Sequence, residues 1–146
     1  FQPTGGAAPV LRFQSPNDVE RLAQLVRELE AALVAAGHDA ELVHDARLIA
    51  EELLTNTLRH GCDPAVAHAI EVEARWTDDR LALAFRDDGA AFDPLARADP
   101  DLDAGIDERP IGGLGIHMVR QLTDELRYEA RAGHNVLTLI KRLPAP

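Results

Sequence analysis

The stretch "IEVEARWTDDRLALAF", residues 70–85, constrains this chain more than any other. Ile70, Val72, Ala74 and Trp76 alternate with Glu71, Glu73 and Arg75, so a strand here has one apolar and one polar face. "TDDR" supplies turn residues and "LALAF" (81–85) returns, which predicts a β-hairpin. Helical segments precede it. Leu22, Leu25, Val26, Leu29, Ala32, Leu33 and Ala36 recur at helical spacing until Gly37. "SPND" reads as their start, with Ser15 as N-cap, Pro16 at the first helical position and Asp18 three residues after the cap. A second helix is expected from near Asp39 to about His60, stopped by Gly61. "VLRF" (10–13) predicts a first strand, and two more are expected around 125–130 and 135–141, joined through "AGHN". The expected fold class is α+β: a two-layer sandwich with a mostly antiparallel sheet and helices on one face.

At 146 residues the chain fits one domain, placed at 10–146 behind a trimmed or flexible leader at 1–9. The leader "FQPTGGAAP" has no basic or apolar region of a signal peptide. A net charge of −10 argues against a nucleic-acid surface, and no apolar run is long enough to span a bilayer. Cys62 is the only cysteine, which excludes an intrachain disulfide and fits a reducing, cytoplasmic setting. Residues 90–111 show no period and contain Pro94, Pro100 and Pro110; alone they read as a disordered surface loop, and their place between two Gly-containing turns suggests a lid or binding loop.

Helix phase singles out part of "AEELLTNTLRHG" (50–61). The apolar face runs through Leu42, Ala46, Ile49, Leu53 and Thr57. Glu52 and Asn56, four apart, fall on one border of that face, with Asp45 and His60 near the same flank. Glu51 turns to solvent. Asparagine is a mediocre residue inside a helix, but its carbonyl oxygen suits a magnesium ion that also binds phosphates. "FRDDGAAFDP" (85–94) ends a strand with two aspartates and a glycine; a carboxylate there can accept a hydrogen bond from an exocyclic amine, but a plain Asp-Gly turn is the better reading of this stretch alone. "IGGLGIHMV" (111–119) puts Gly112, Gly113 and Gly115 before an apolar helical run, which reads as a ready anion site or as glycines that serve helix–sheet packing. The six histidines lack zinc-site spacing, and Ser15, the only serine, gives a serine hydrolase no support.

In this order, the three stretches resemble the nucleotide-binding boxes of the Bergerat-fold superfamily of gyrase, heat-shock chaperone, histidine kinase and MutL ATPases. The chain looks most like its small anti-sigma-factor serine kinases. "EELLTNTLRHG" resembles the N-box, "RDDGAAFDP" the first glycine box and "GGLGIHMVRQLTDELRY" the second. The resemblance implies ATP and Mg²⁺, with Asn56 as the magnesium ligand and Glu52 as general base. It implies that Asp87 holds the adenine amine beside the turn at Gly89, and that Gly113, Leu114 and Gly115 border the phosphates. The implied reaction transfers the γ-phosphoryl group to a hydroxyl of a small anti-anti-sigma (STAS-type) protein. A sigma factor and a homodimer are further partners on this reading, and Arg97 and Arg109 further phosphate or partner contacts.

Two positions depart from the family pattern: Ala91 stands where a second glycine is expected, and Asn135-Val136 where many relatives have Gly-Thr. A nucleotide-dependent sequestration module without kinase activity is the alternative, and the carboxylate of Glu52 favours the kinase. A histidine-kinase catalytic domain would need a separate acceptor-histidine domain, and gyrase-like or MutL-like ATPases a transducer domain. The ATP-binding domain is expected to leave no room for either.

Overall fold

The computed structural model describes residues 10–91, 93–96 and 113–143. The expected leader at 1–9, most of the expected lid, Arg97 and Arg109 lie outside them. Five strands form one antiparallel sheet in the order β1-β2-β3-β5-β4: β1 (Val10–Pro16), β2 (Ala69–Trp76), β3 (Arg80–Asp87), β4 (Glu125–Arg131) and β5 (His134–Arg142). Helices α1 (Val19–Ala35), α2 (Ala40–Asn56) and α3 (Gly113–Leu122) complete the expected two-layer α+β fold.

The hairpin forms as its alternation requires, pairing Val72 with Phe85 and Ala74 with Leu83. Its inward residues meet α1 and α2 in a core where Leu29, Leu33, Ile49, Val72, Leu83 and Leu139 are fully buried. β4 and β5 join through Ala132 and Gly133, both at positive φ (51° and 79°), the signature of a two-residue type I′ turn.

The chain corrects two expected boundaries. Ser15 is not a helix cap, because β1 runs on through Pro16, which pairs with Ala69 at the sheet edge where a missing N–H is tolerated. Asp18 caps α1 instead, accepting from the Glu20 N–H at 3.4 Å. The second helix does not stay α-helical to His60: it widens after Asn56 into a π-turn, Thr57–Gly61. The Cys62 N–H then reaches back to the Thr57 carbonyl at 3.1 Å. Part of the aperiodic segment is also ordered, as a 3₁₀ turn at Pro94–Ala96.

Candidate active site

Strand pairing sets Asp87, at the end of β3, directly across from Asn135 of β5, and both are buried. Asn135 Nδ2 donates to Asp87 Oδ1 and to the Ala90 carbonyl, each at 2.9 Å. The Gly89 N–H donates to the same Oδ1 at 2.9 Å. Among the described residues, the side-chain hydrogen bonds to Asp87 fall on Oδ1, which leaves Oδ2 for another donor.

Helix α2 forms the facing wall. Phase sorts its side chains as expected: Glu51 is exposed, Glu52 half-buried and Asn56 only 5% exposed. Asn56 Nδ2 is buried without a hydrogen-bond partner among the described residues. Such a group costs about 1–3 kcal/mol unless something completes it, so the pocket suits a polar ligand. The amide also carries Oδ1, the atom a magnesium ion would take, and no side-chain hydrogen bond among the described residues holds that oxygen away from a ligand. Asn56 therefore fits a magnesium ligand.

The π-turn ties the two walls together. It carries the Gly61 carbonyl to the Ala90 N–H at 2.8 Å. A Cβ on Gly89 would lie 2.0 Å from Gly61 O, so only glycine permits this approach. A second close approach seats Glu52: a Cβ on Gly115 would lie 2.0 Å from its Oε2. Gly115 thus packs the first turn of α3 against the Glu52 carboxylate. Gly113 opens that helix, followed by Leu114.

Between Asp87 and Asn56 lies a cavity of about 30 Å³, lined also by Leu53, Phe85, Pro94, Tyr128, Asn135 and Leu137. An engineered apolar cavity of about 150 Å³ holds one benzene, so a purine ring enters here only if a wall moves. One wall is the Pro94–Ala96 turn, which lines the cavity through Pro94 and is started by an Asp93 Oδ1 that accepts from the Leu95 N–H at 2.8 Å. Arg120 of α3 holds it down by donating to the Leu95 carbonyl at 2.7 Å.

Nearby groups respond to this packing. Burial, with Asp87 and Asp88 adding to it, pushes the Cys62 thiol up to about 11. Burial would raise Asp88, but hydrogen bonds from the Ala69 N–H at 3.0 Å and from His68 at 3.1 Å hold it below the usual carboxylate range. Asp45 does not join the site; it pairs with Lys141 at 3.2 Å. Sequence reasoning missed Tyr128 and Arg120, placed Pro94 only within the expected lid, and took Asn135 only as a departure. Alternation with Leu126 was the available signal for Tyr128, an inward position on β4.

The sequence matches the histidine kinase-like ATPase domain family over residues 15–141. It is 35% identical over 100 residues to the serine/threonine-protein kinase BtrW of Bordetella bronchiseptica, covering 68% of this chain and 70% of that protein. It is 24% identical over 136 residues to the serine-protein kinase RsbW of Bacillus licheniformis, covering 89% of this chain and 84% of that one. The anti-sigma F factor of Clostridium beijerinckii shares 22% over 130 residues, covering 85% and 91%. The fold superposes on a crystal structure of the RsbU and RsbW domains of a Mycobacterium tuberculosis protein with a TM-score of 0.67 at 22% identity. That match covers 94% of this chain and 34% of the other, so this chain spans about a third of its length.

Proposed function

The chain belongs to the histidine kinase-like ATPase domain family, and from that premise we propose that it is an ATP-dependent serine/threonine protein kinase of the anti-sigma type. Its substrate is the hydroxyl of a small anti-anti-sigma (STAS-type) protein, and it regulates by binding that protein and a sigma factor. The relatives named as serine kinases and as an anti-sigma factor support this reading. A reducing, cytoplasmic location accords with one partly buried cysteine and with the absence, among the described residues, of any helix long and apolar enough to cross a membrane.

One observation carries the proposal: a buried, unpartnered Asn56 amide faces the same cavity as Asp87, four residues beyond the half-buried Glu52. In the proposed roles Asp87 Oδ2 accepts from the adenine amine, with Gly89 letting the turn close on Gly61. The start of α3 at Gly113, Leu114 and Gly115 points its free N–H groups toward phosphate oxygens. A magnesium ion held through the Asn56 oxygen supplies neutralisation of phosphate charge during transfer. Glu52 accepts the proton of the attacking hydroxyl.

Calorimetric titration with ATP, with and without Mg²⁺, tests the site. Asn56→Ala should weaken the Mg²⁺-dependent part of binding about tenfold or more while leaving the metal-free part closer to wild type. Single-turnover transfer from labelled ATP to the anti-anti-sigma protein tests the chemistry. Wild-type protein that binds ATP yet transfers nothing is a sequestration module; protein that binds neither form of ATP refutes the site.

A further inference from the structure

Asn135 and Tyr128 stand outside the roles above, and their geometry is too specific for strand filler. Asn135 Nδ2 has two hydrogens and three acceptors around it: Asp87 Oδ1 and Ala90 O at 2.9 Å, and Gly89 O more loosely at 3.4 Å. Turning the amide over would set its oxygen against three acceptors, so the orientation is determined by its surroundings. The other end is held as well: the Tyr128 hydroxyl donates to Asn135 Oδ1. Tyr128 pairs with Leu137 on the neighbouring strand, which makes Asn135 its diagonal neighbour, within reach of a long aromatic side chain.

We propose that Tyr128 and Asn135 form a relay that locks the Asp87 carboxylate with Oδ2 facing the cavity, and so set its preference for 6-amino over 6-oxo purine nucleotides. The proposal rests on the adenine-binding reading of Asp87. Asn135 Nδ2 and the Gly89 N–H both donate to Oδ1, so the carboxylate cannot swing out of its plane without losing both bonds. An exocyclic amine donates to the presented Oδ2. A 6-oxo group brings an acceptor against an acceptor and is rejected. The Asn135-Val136 departure thus supplies its own anchor for Asp87. Both Nδ2 hydrogens are spent inside the turn, so Asn135 is a positioning residue.

The test is calorimetric titration with ATP and with inosine triphosphate, both with Mg²⁺, on the full chain and its variants. Wild type should prefer ATP by about 10- to 100-fold, the worth of one hydrogen bond to a charged acceptor. Asn135→Leu, with no donor, should bring the ratio within about threefold of unity while inosine triphosphate affinity stays near wild type. Tyr128→Phe should lower the ratio about threefold. A scaffold role would weaken both nucleotides alike, so equal losses overturn the proposal, as does a wild-type ratio in either folded variant. If Asn135→Leu does not fold, Tyr128→Phe and the single-donor variant Asn135→Ser decide, the latter expected between wild type and unity. Wild-type protein that binds both nucleotides equally refutes the adenine reading of Asp87 itself, and the relay with it.

Discussion

Two glycines meet the same nominal obstruction, and the structure predicts opposite consequences of filling them. In Gly89→Ala the new methyl lies 2.0 Å from Gly61 O, 2.7 Å from Gly61 C and 3.0 Å from Asp87 Oδ1. Comfortable carbon contacts begin near 3.5 Å, so backbone must separate by about 1.5 Å. That costs about 1–3 kcal/mol of overpacking, plus about 1 kcal/mol for the Ala90–Gly61 hydrogen bond it pulls apart. In Gly115→Ala the atom at 2.0 Å is Glu52 Oε2, the free end of a flexible side chain. Rotation of Glu52 relieves the clash, and alanine inside α3 returns up to about 1 kcal/mol of helix propensity. Urea denaturation should therefore show Gly89→Ala destabilised by about 2–4 kcal/mol and Gly115→Ala within about 1 kcal/mol of wild type. Gly115→Ala should still bind ATP but lose most single-turnover transfer, because Glu52, the proposed general base, would be swung aside. Equal destabilisation by the two substitutions, or wild-type transfer by Gly115→Ala, refutes this reasoning.

Other perturbations follow from burial and charge. Glu52→Gln should keep ATP binding and lose about 10²–10⁴ in transfer rate, while Glu51→Gln, on the exposed face of α2, stays near wild type in the same assay. The Cys62 thiol, raised from 9.0 to about 11, should carry roughly 100-fold less thiolate at pH 7 than an unperturbed one. Its alkylation should be correspondingly slow and still rising at pH 10; a plateau near pH 9 would contradict the burial. Burial lowers His38 from 6.5 against a smaller opposing effect of Asp39, and its Nε2 is buried and unpartnered beside Trp76. The folded state resists the charged ring more than the unfolded chain does. Stability is then full above pH 6.5 and falls as pH drops below it toward the lowered value, and His38→Phe should flatten that slope in denaturation midpoints.

The layers of the fold were legible because they rest on local periodicity. Alternation along Ile70–Trp76 and helical spacing from Leu22 to Leu33 each admit one buried face, and a single domain has one core to bury them in. Phase around a regular helix likewise separates Glu51 from Glu52, since it needs only the step of about 100°. Local signals failed where two conformations were both permitted by nearby residues. "SPND" could cap a helix or finish an edge strand, and the pairing of Pro16 with Ala69, 53 residues away, decided it. The π-turn after Asn56 exists where Gly61 has to meet the Asp87 turn, a contact that no window of sequence contains. The site was legible only in part for the same reason. Asp87 and Asn56 belong to recognisable motifs, whereas Asn135 and Tyr128 gain their meaning from strand register, which puts one opposite Asp87 and the other on its diagonal. Sequence determines which faces must be buried; only the folded sheet decides which polar atoms then meet.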